Sequence, residues 1–334
     1  MMATLAPVLE KYGYVAKPDA LVKIFGERNS RPGQADPRYS GPQFAADVEV
    51  GVNAYVDLEY ERAAKLLDAA IMRARENPIV LAREPQYRDA MLRGLLYYAL
   101  ANGRRADDAN RAVATEAAAA RDDAMAELIR SFPTKVILRK DYGQEAEQLY
   151  AKMRKQLDGA GRGRIEIGAD AADTVIYVDE TVRGQHAATI ADLVPGHYRV
   201  LAQFQGGESR QYDVEVLANQ ASRVVVDSEL DPTLTVADWV GFRFANDADR
   251  AAQEGRLVSK LVRSNTADLI AATFTIVAEN HRITVIGSMY AAATGHFVRA
   301  GMIELVNDHD REGLDQLAAY LERRVAPRVK PLNR

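Results

Sequence analysis

The chain contains no cysteine. This excludes disulfides, thiol nucleophiles and thiolate metal sites, and it fits a reducing or an oxidising compartment equally. No stretch approaches about 18 consecutive apolar residues, so no segment reads as a membrane-spanning helix. A basic excess is missing too. Lys and Arg number 43 against 47 Asp and Glu, a formal net charge of −4, whereas a dedicated nucleic-acid binder carries a basic field. Gly-x-Ser-x-Gly, the Walker loop and His-Glu-x-x-His are all absent. What remains is a 334-residue chain, 48% hydrophobic and 27% charged, of ordinary globular composition and sufficient for two or three domains.

Punctuation divides the chain. Residues 1–42 hold Lys17-Pro18, Arg31-Pro32-Gly33, Asp36-Pro37 and Gly41-Pro42, which predict an irregular arm with one short helix at Asp19–Phe25. Residues 43–158 read as helical. Val48, Val52, Tyr55 and Val56 recur at three- and four-residue spacings, as do Met91, Leu92, Leu95, Leu96 and Ala99. Breaks fall at Asn77-Pro78, Glu84-Pro85, Asn102-Gly103 and Phe132-Pro133, and such alternation predicts antiparallel helix pairs. Gly159-Ala-Gly-Arg-Gly-Arg164 follows a helix and precedes a strand. That order is the reverse of a phosphate-cradling loop and predicts a linker.

From residue 163 to 230 the period changes to two. Ile165–Ile167, Val175–Val178, Tyr198–Phe204, Tyr212–Val216 and Arg223–Val226 are short β-type runs. Turn signals separate them at Asp179-Glu180, Pro195-Gly196, Gly206-Gly207 and Ala218-Asn219-Gln220. The predicted element is a small antiparallel β-sandwich. Residues 233–325 predict an α/β domain: a helix over Ala248–Arg263, strands over Leu269–Val277, Arg282–Tyr290 and Phe297–Val306, and a closing helix over Arg311–Val325. Residues 326–334 form a basic tail. The fold class expected is therefore multidomain α+β.

Three resemblances add to this reading. Tyr177-Val178-Asp179, Gly184, Leu193, Pro195-Gly196, Tyr198 and Val200 resemble the PEGA domain, a small sandwich of bacterial envelope proteins with no known active site. The sequence departs from that pattern at Glu180, where Gly is usual, and at Ala187-Ala188-Thr189, which lacks the usual Pro. Gly51, Ala63, Leu67 and Ala70 resemble the small-residue positions of one tetratricopeptide repeat, a fold that binds peptides in a groove. Ala267–Ile270, Ile283–Tyr290 and Ala293-Thr294-Gly295 are similar to the α/β domain of curli-secretion-channel-like lipoproteins and of the N-terminal domain of the Tol-system propeller protein.

No site chemistry emerges from the titratable residues. Asp308-His309-Asp310 lacks a second ligand at helical spacing, His281 and His296 stand alone, and His186 and His197 fall in turns. Asp310 and Asn246 or Asp249 read as helix N-terminal residues. No catalytic residue, cofactor or metal is expected. The reading is a non-enzymatic protein–protein interaction scaffold of the bacterial cell envelope, with Tyr55, Tyr60, Tyr97 and Tyr98 as partner-binding anchors. Its partners are expected to be other envelope proteins, not nucleic acid. Met1–Pro7 lacks a basic region and an apolar core, so a periplasmic or outer-membrane location requires a leader ahead of it. The alternatives are an enzyme or ligand-binding site in residues 233–325, or a cytoplasmic or phage-related structural protein.

Overall fold

The computed structural model describes residues 7, 11, 29–30, 39–84, 87–108, 110–205, 207–236, 240–264, 270–279, 282–291, 296–305 and 310–325. The helix expected at Asp19–Phe25, His281, Asp308-His309 and the basic tail lie outside these residues. The molecule is a mixed helical and sheet structure that divides into two compact units, residues 27–232 and residues 1–26 with 233–334. The segments expected as a helical domain and as a sandwich lie together in the first of these.

In residues 27–232 a short strand, β1 (Asn29–Ser30), precedes seven helices: α1 (Gly41–Val56), α2 (Tyr60–Glu76), α3 (Pro78–Arg83), α4 (Arg88–Arg105), α5 (Arg111–Ser131), α6 (Arg139–Tyr142) and α7 (Gln144–Gly159). Side chains cap the first and the fifth. Ser40 Oγ accepts the Gln43 N–H, and Asn110 Oδ1 accepts the Ala112 N–H at 3.0 Å. Helix α2 shows why the chain folds inward here. Ala63, Ala64, Leu67, Ala70, Ile71 and Ala74 recur at three- and four-residue spacing and are all buried. Leu67, Ala70, Ile71 and Ala74 meet Phe44, Val48 and Val52 of α1 and Leu92, Leu95, Leu96 and Ala99 of α4 in one core, while Ala63 and Ala64 join Ala54 and Ala101 in a second cluster.

Strands β2 (Gly163–Ala169), β3 (Val175–Val178), β4 (Thr181–Gln185), β5 (Ala187–Leu193), β6 (Gly196–Phe204), β7 (Gly207–Glu208), β8 (Gln211–Val216) and β9 (Ala221–Val226) follow. They pair in the order β1-β8-β6-β3-β4-β5-β2-β9, with β7 on β6. A single residue pair, Gln185 with Ala187, joins β4 to β5 around His186 at φ +57°, so the ladder turns a corner there. The expected all-antiparallel pairing is corrected at one place. Strands β2 and β9 run parallel, Arg164 opposite Ala221 through Ala169 opposite Val226. The connection between them is the whole intervening sheet, which alternation within single strands does not reveal. Alternate residues Ile165, Ile167, Ile176, Val178, Val200, Val214, Val216, Val224 and Val226 fill one core.

After α8 (Leu230–Thr233), the other unit pairs β10 (Leu234–Val236) with β11 (Val240–Phe242). Helix α9 (Asp247–Ser264) leads to an antiparallel meander of β12 (Ile270–Glu279), β13 (Arg282–Ala291) and β14 (His296–Leu305), and α10 (Arg311–Val325) packs against β14. Both helix starts are capped. Asn246 Oδ1 accepts the Asp249 N–H at 2.9 Å, and Asp310 Oδ1 accepts the Gly313 N–H at 3.1 Å.

Gly51 sets the approach of α1 and α2. A Cβ placed there would stand 2.6 Å from the side chain of fully buried Leu67 and 3.3 Å from its backbone nitrogen. Alanine normally gains about 1 kcal/mol over glycine inside a helix. Gly51→Ala should instead destabilise by about 1–3 kcal/mol, the scale of overpacking, and urea unfolding of the variant measures the sign.

Candidate functional site

The densest polar cluster of the described residues lies between the helices and the sheet of residues 27–232. It begins at the β3–β4 hairpin. Asp179 and Glu180 are its two central residues and both are left-handed, at φ +45° and +55°. Such two-residue turns favour Asn-Gly because two positive φ values cost little there. Here both positions carry carboxylates, and both are buried, at 5% and 8% exposure. The main chain of Asp179 pairs with Arg199 of β6: its N–H donates to the Arg199 carbonyl at 2.9 Å, and its Oδ1 accepts the Arg199 N–H at 3.0 Å.

The Arg199 guanidinium holds the cluster together. Nε and Nη2 donate to the two Glu180 oxygens at 2.9 and 3.1 Å, a bidentate fork. Nη1 donates to Glu127 Oε1 of α5 at 2.9 Å. Glu127 also accepts from Arg75 of α2. From α4, Arg88 donates to the carbonyls of Ser131 at 2.9 Å and Asp179 at 3.3 Å and to the Thr181 hydroxyl, and it stacks on the Phe132 ring. Ser131 Oγ donates to Asp179 Oδ2 at 3.4 Å. Beside them Arg130 lies against Gly196, whose φ is +139° and where an added Cβ would stand 2.7 Å from Nη1. The neighbouring Tyr198 donates its hydroxyl to the Val194 carbonyl at 2.8 Å.

Electrostatics follow from burial. Desolvation pushes the Asp179 carboxyl up to about 6 against the pull of Arg199, and Glu180 adds to the rise. Glu127 is desolvated as well, but Arg199 and Arg75 outweigh that cost and hold it below the ordinary carboxylate range. Burial opposes the charge on Arg199, yet Glu180, Asp179 and Glu127 bind its proton more tightly than water does. The Glu127 and Glu180 oxygens are thus committed to arginine side chains, and those of Asp179 to the Arg199 main chain and Ser131. The Nε atoms of Arg75 and Arg130 are buried without a hydrogen-bond partner among the described residues. The arrangement fastens; it offers no open nucleophile or base. Among the described residues no group of three His, Asp or Glu is placed to hold a metal.

A second buried acid lies at the end of the unit. Asp231 accepts the Tyr212 hydroxyl at 2.6 Å, and burial pushes its carboxyl up to about 7.

The tyrosines read as partner anchors are all half-buried. Tyr55, Tyr60 and Tyr97 come together, with ring centroids 5.5 Å apart for Tyr55–Tyr60 and 5.3 Å for Tyr55–Tyr97. Arg104 lies over Tyr60 and pairs with Glu145 at 2.6 Å. Tyr98 packs with Tyr55 on the alanine cluster of Ala54, Ala63, Ala64 and Ala101. Beside the tyrosines, Val56 and Leu58 are 65% and 70% exposed. Sequence reasoning placed the Asp179-Glu180 turn but missed the ion network. The one signal available was Glu180, an acid where the turn and the resemblance both favour glycine.

Two outcomes test this chemistry. Arg199→Met leaves three carboxylates buried without their guanidinium and should cost about 3–5 kcal/mol. Adding Glu127→Gln to that variant should cost less than the sum of the two single changes, measured by urea unfolding in a double-mutant cycle. The second concerns pH. The folded-state values of Asp179 and Asp231 are raised, so their contribution is fully present below about pH 4. It is lost as pH rises through about 6 for Asp179 and about 7 for Asp231. Asp231→Asn, which keeps an acceptor for Tyr212, should flatten the stability profile between about pH 5 and 8 and exceed wild type at the alkaline end. Melting temperatures across that range decide it.

Compared with known proteins, the chain matches no family model, no curated protein and no solved structure.

Proposed function

We propose that this chain is a non-enzymatic protein–protein interaction scaffold of the bacterial cell envelope, docking partners through its helices and spacing them with the PEGA-like β-sandwich. One observation carries the reading. The charged groups that converge in residues 27–232 are spent on joining α2, α4 and α5 to the β3–β4 hairpin and β6. A catalytic centre keeps a base or nucleophile available to its substrate; a fastening of this kind instead supports a rigid platform. The resemblance to tetratricopeptide helices supports a peptide partner, and the half-buried Tyr55, Tyr60, Tyr97 and Tyr98 are its candidate anchors. No described helix is long and apolar enough to cross a membrane. Attachment to the envelope therefore rests on a leader or lipid anchor ahead of the helices, with a cytoplasmic location as the alternative.

Fractionation and chemical cross-linking of the tagged chain, expressed from its own locus in its host, test this. The expected result is co-fractionation with the envelope and a reproducible protein cross-link. Tyr60→Ala should lower its yield by roughly tenfold, the scale of a contact worth about 1.4 kcal/mol. Cytoplasmic fractionation without any cross-linked partner overturns the proposal.

A further inference from the structure

Helix α7 presents a balanced set of charges beside the connection between α5 and α6. An open depression of about 490 Å³ there is lined by Glu147, Arg154, Lys155 and Asp158 of the helix and by Val136 and Leu138 of the connection. Arg154 and Arg162 hold Asp158, at 3.3 and 2.6 Å. One acid and one base are left over. Glu147 accepts only the Arg139 N–H, at 3.4 Å, and the Lys155 ammonium has no ion-pair partner among the described residues.

These two stand eight residues apart on the helix, about 12 Å along its axis. A helix surface pairs side chains three or four residues apart, so Glu147 and Lys155 do not neutralise each other. Ala151 lies midway between them and, like Lys155, is exposed. Beside the helix, Val136 and Leu138 are 62% and 40% exposed.

Two acids and two bases select neither an acidic nor a basic ligand, but the set complements itself when the helix is reversed. A two-fold axis at Ala151 lays α7 antiparallel on the α7 of a second copy. Each Glu147 then comes opposite the partner's Lys155, and the pairing occurs twice, as an isologous interface requires. Ala151 has no side chain beyond Cβ, so the two helices approach closely where they cross. Val136 and Leu138 belong to the same face. Their withdrawal from water supplies the apolar burial that exposed ion pairs by themselves lack.

We propose that this chain forms an isologous homodimer through α7, with Glu147 of each copy paired to the partner's Lys155 and with Val136 and Leu138 covered at the same contact. The charge pairs set register and direction, and the apolar side chains supply most of the affinity. The proposal goes beyond the scaffold reading and stands independently of it.

Sedimentation velocity of the full chain between about 1 μM and 1 mM tests it. Wild type is expected to pass from monomer to dimer across that range. Lys155→Glu sets Glu against Glu, and Glu147→Lys sets Lys against Lys; each should weaken association by about tenfold. Both changes in one chain should restore it. An equimolar mixture of the two single variants should associate more tightly than either does alone, because each carries the charge that the other faces. Val136→Asp, which leaves the charge pairs intact, should also weaken the dimer, and circular dichroism checks that every variant is folded. A wild type that stays monomeric to about 1 mM overturns the proposal. So do single variants that dimerise as tightly as wild type, a doubly changed chain that stays monomeric, or a mixture no more associated than its components. None of these results alters envelope fractionation or cross-linking to a different protein, so failure here is distinguishable from failure of the scaffold reading.

Discussion

A guanidinium largely withdrawn from water fixes the contact between the helices and the sheet of residues 27–232. Arg199 is one residue of β6, flanked in the sheet by β8 and β3, yet its head reaches carboxylates from two separate parts of the chain, Glu127 on α5 and Glu180 on the β3–β4 hairpin. A buried charge of this kind is costly unless it is both paired and fully hydrogen-bonded. Meeting that condition sets where the hairpin tip must sit, why both of its residues accept left-handed backbone, and why α5 lies over the sheet. The hairpin strain and the ion network are thus one energetic unit, with each explained by the other.

The same contact accounts for the glycine of Pro195-Gly196. Its backbone is at φ +139°, and the Arg130 side chain occupies the space a Cβ would need. Glycine there serves the strand's entry and the approach of α5 together. At the far side of the helices the logic is similar but apolar. Gly51, Ala63 and Ala70 let α1 and α2 close on Leu67, so small residues rather than charges set that distance. The helices and the sheet of residues 27–232 are thus joined by charges at one contact, and the helices are spaced by small residues at the other.

Local order was written in the chain itself. Periodicity of three to four located α1 and α4, and the Pro and Gly breaks fell within a few residues of the ends of α2, α3, α4 and α5; the short α3 and α6 carry no such period. Helix α5 starts at Arg111, where Asn110 supplies the N-cap. Alternation located β2, β3, β6, β8 and β9. Strands β4 and β5 were less visible, since Thr181–Gln185 and Ala187–Leu193 leave most of their side chains to solvent and carry no clean apolar alternation. The turn at Asp179-Glu180 was legible from its residue types, but its burial was not.

Sequence by itself determined the mixed helical and sheet class and the buried stripe Met91, Leu92, Leu95, Leu96 and Ala99 of α4, because these depend on periods of neighbouring residues; Val56, read at the same spacing in α1, is 65% exposed. Sequence also determined that thiol chemistry is impossible, a matter of composition alone. Only the tertiary structure decided that β2 and β9 run parallel, that the helices and the sheet share one unit, and that Arg199, Glu127, Asp179 and Glu180 neutralise one another. Glu127 and Arg199 stand 72 positions apart, and Arg88 and Asp179 stand 91 apart. A side chain's charge is fixed locally, but its partner and its desolvation are fixed by what the rest of the chain folds against it.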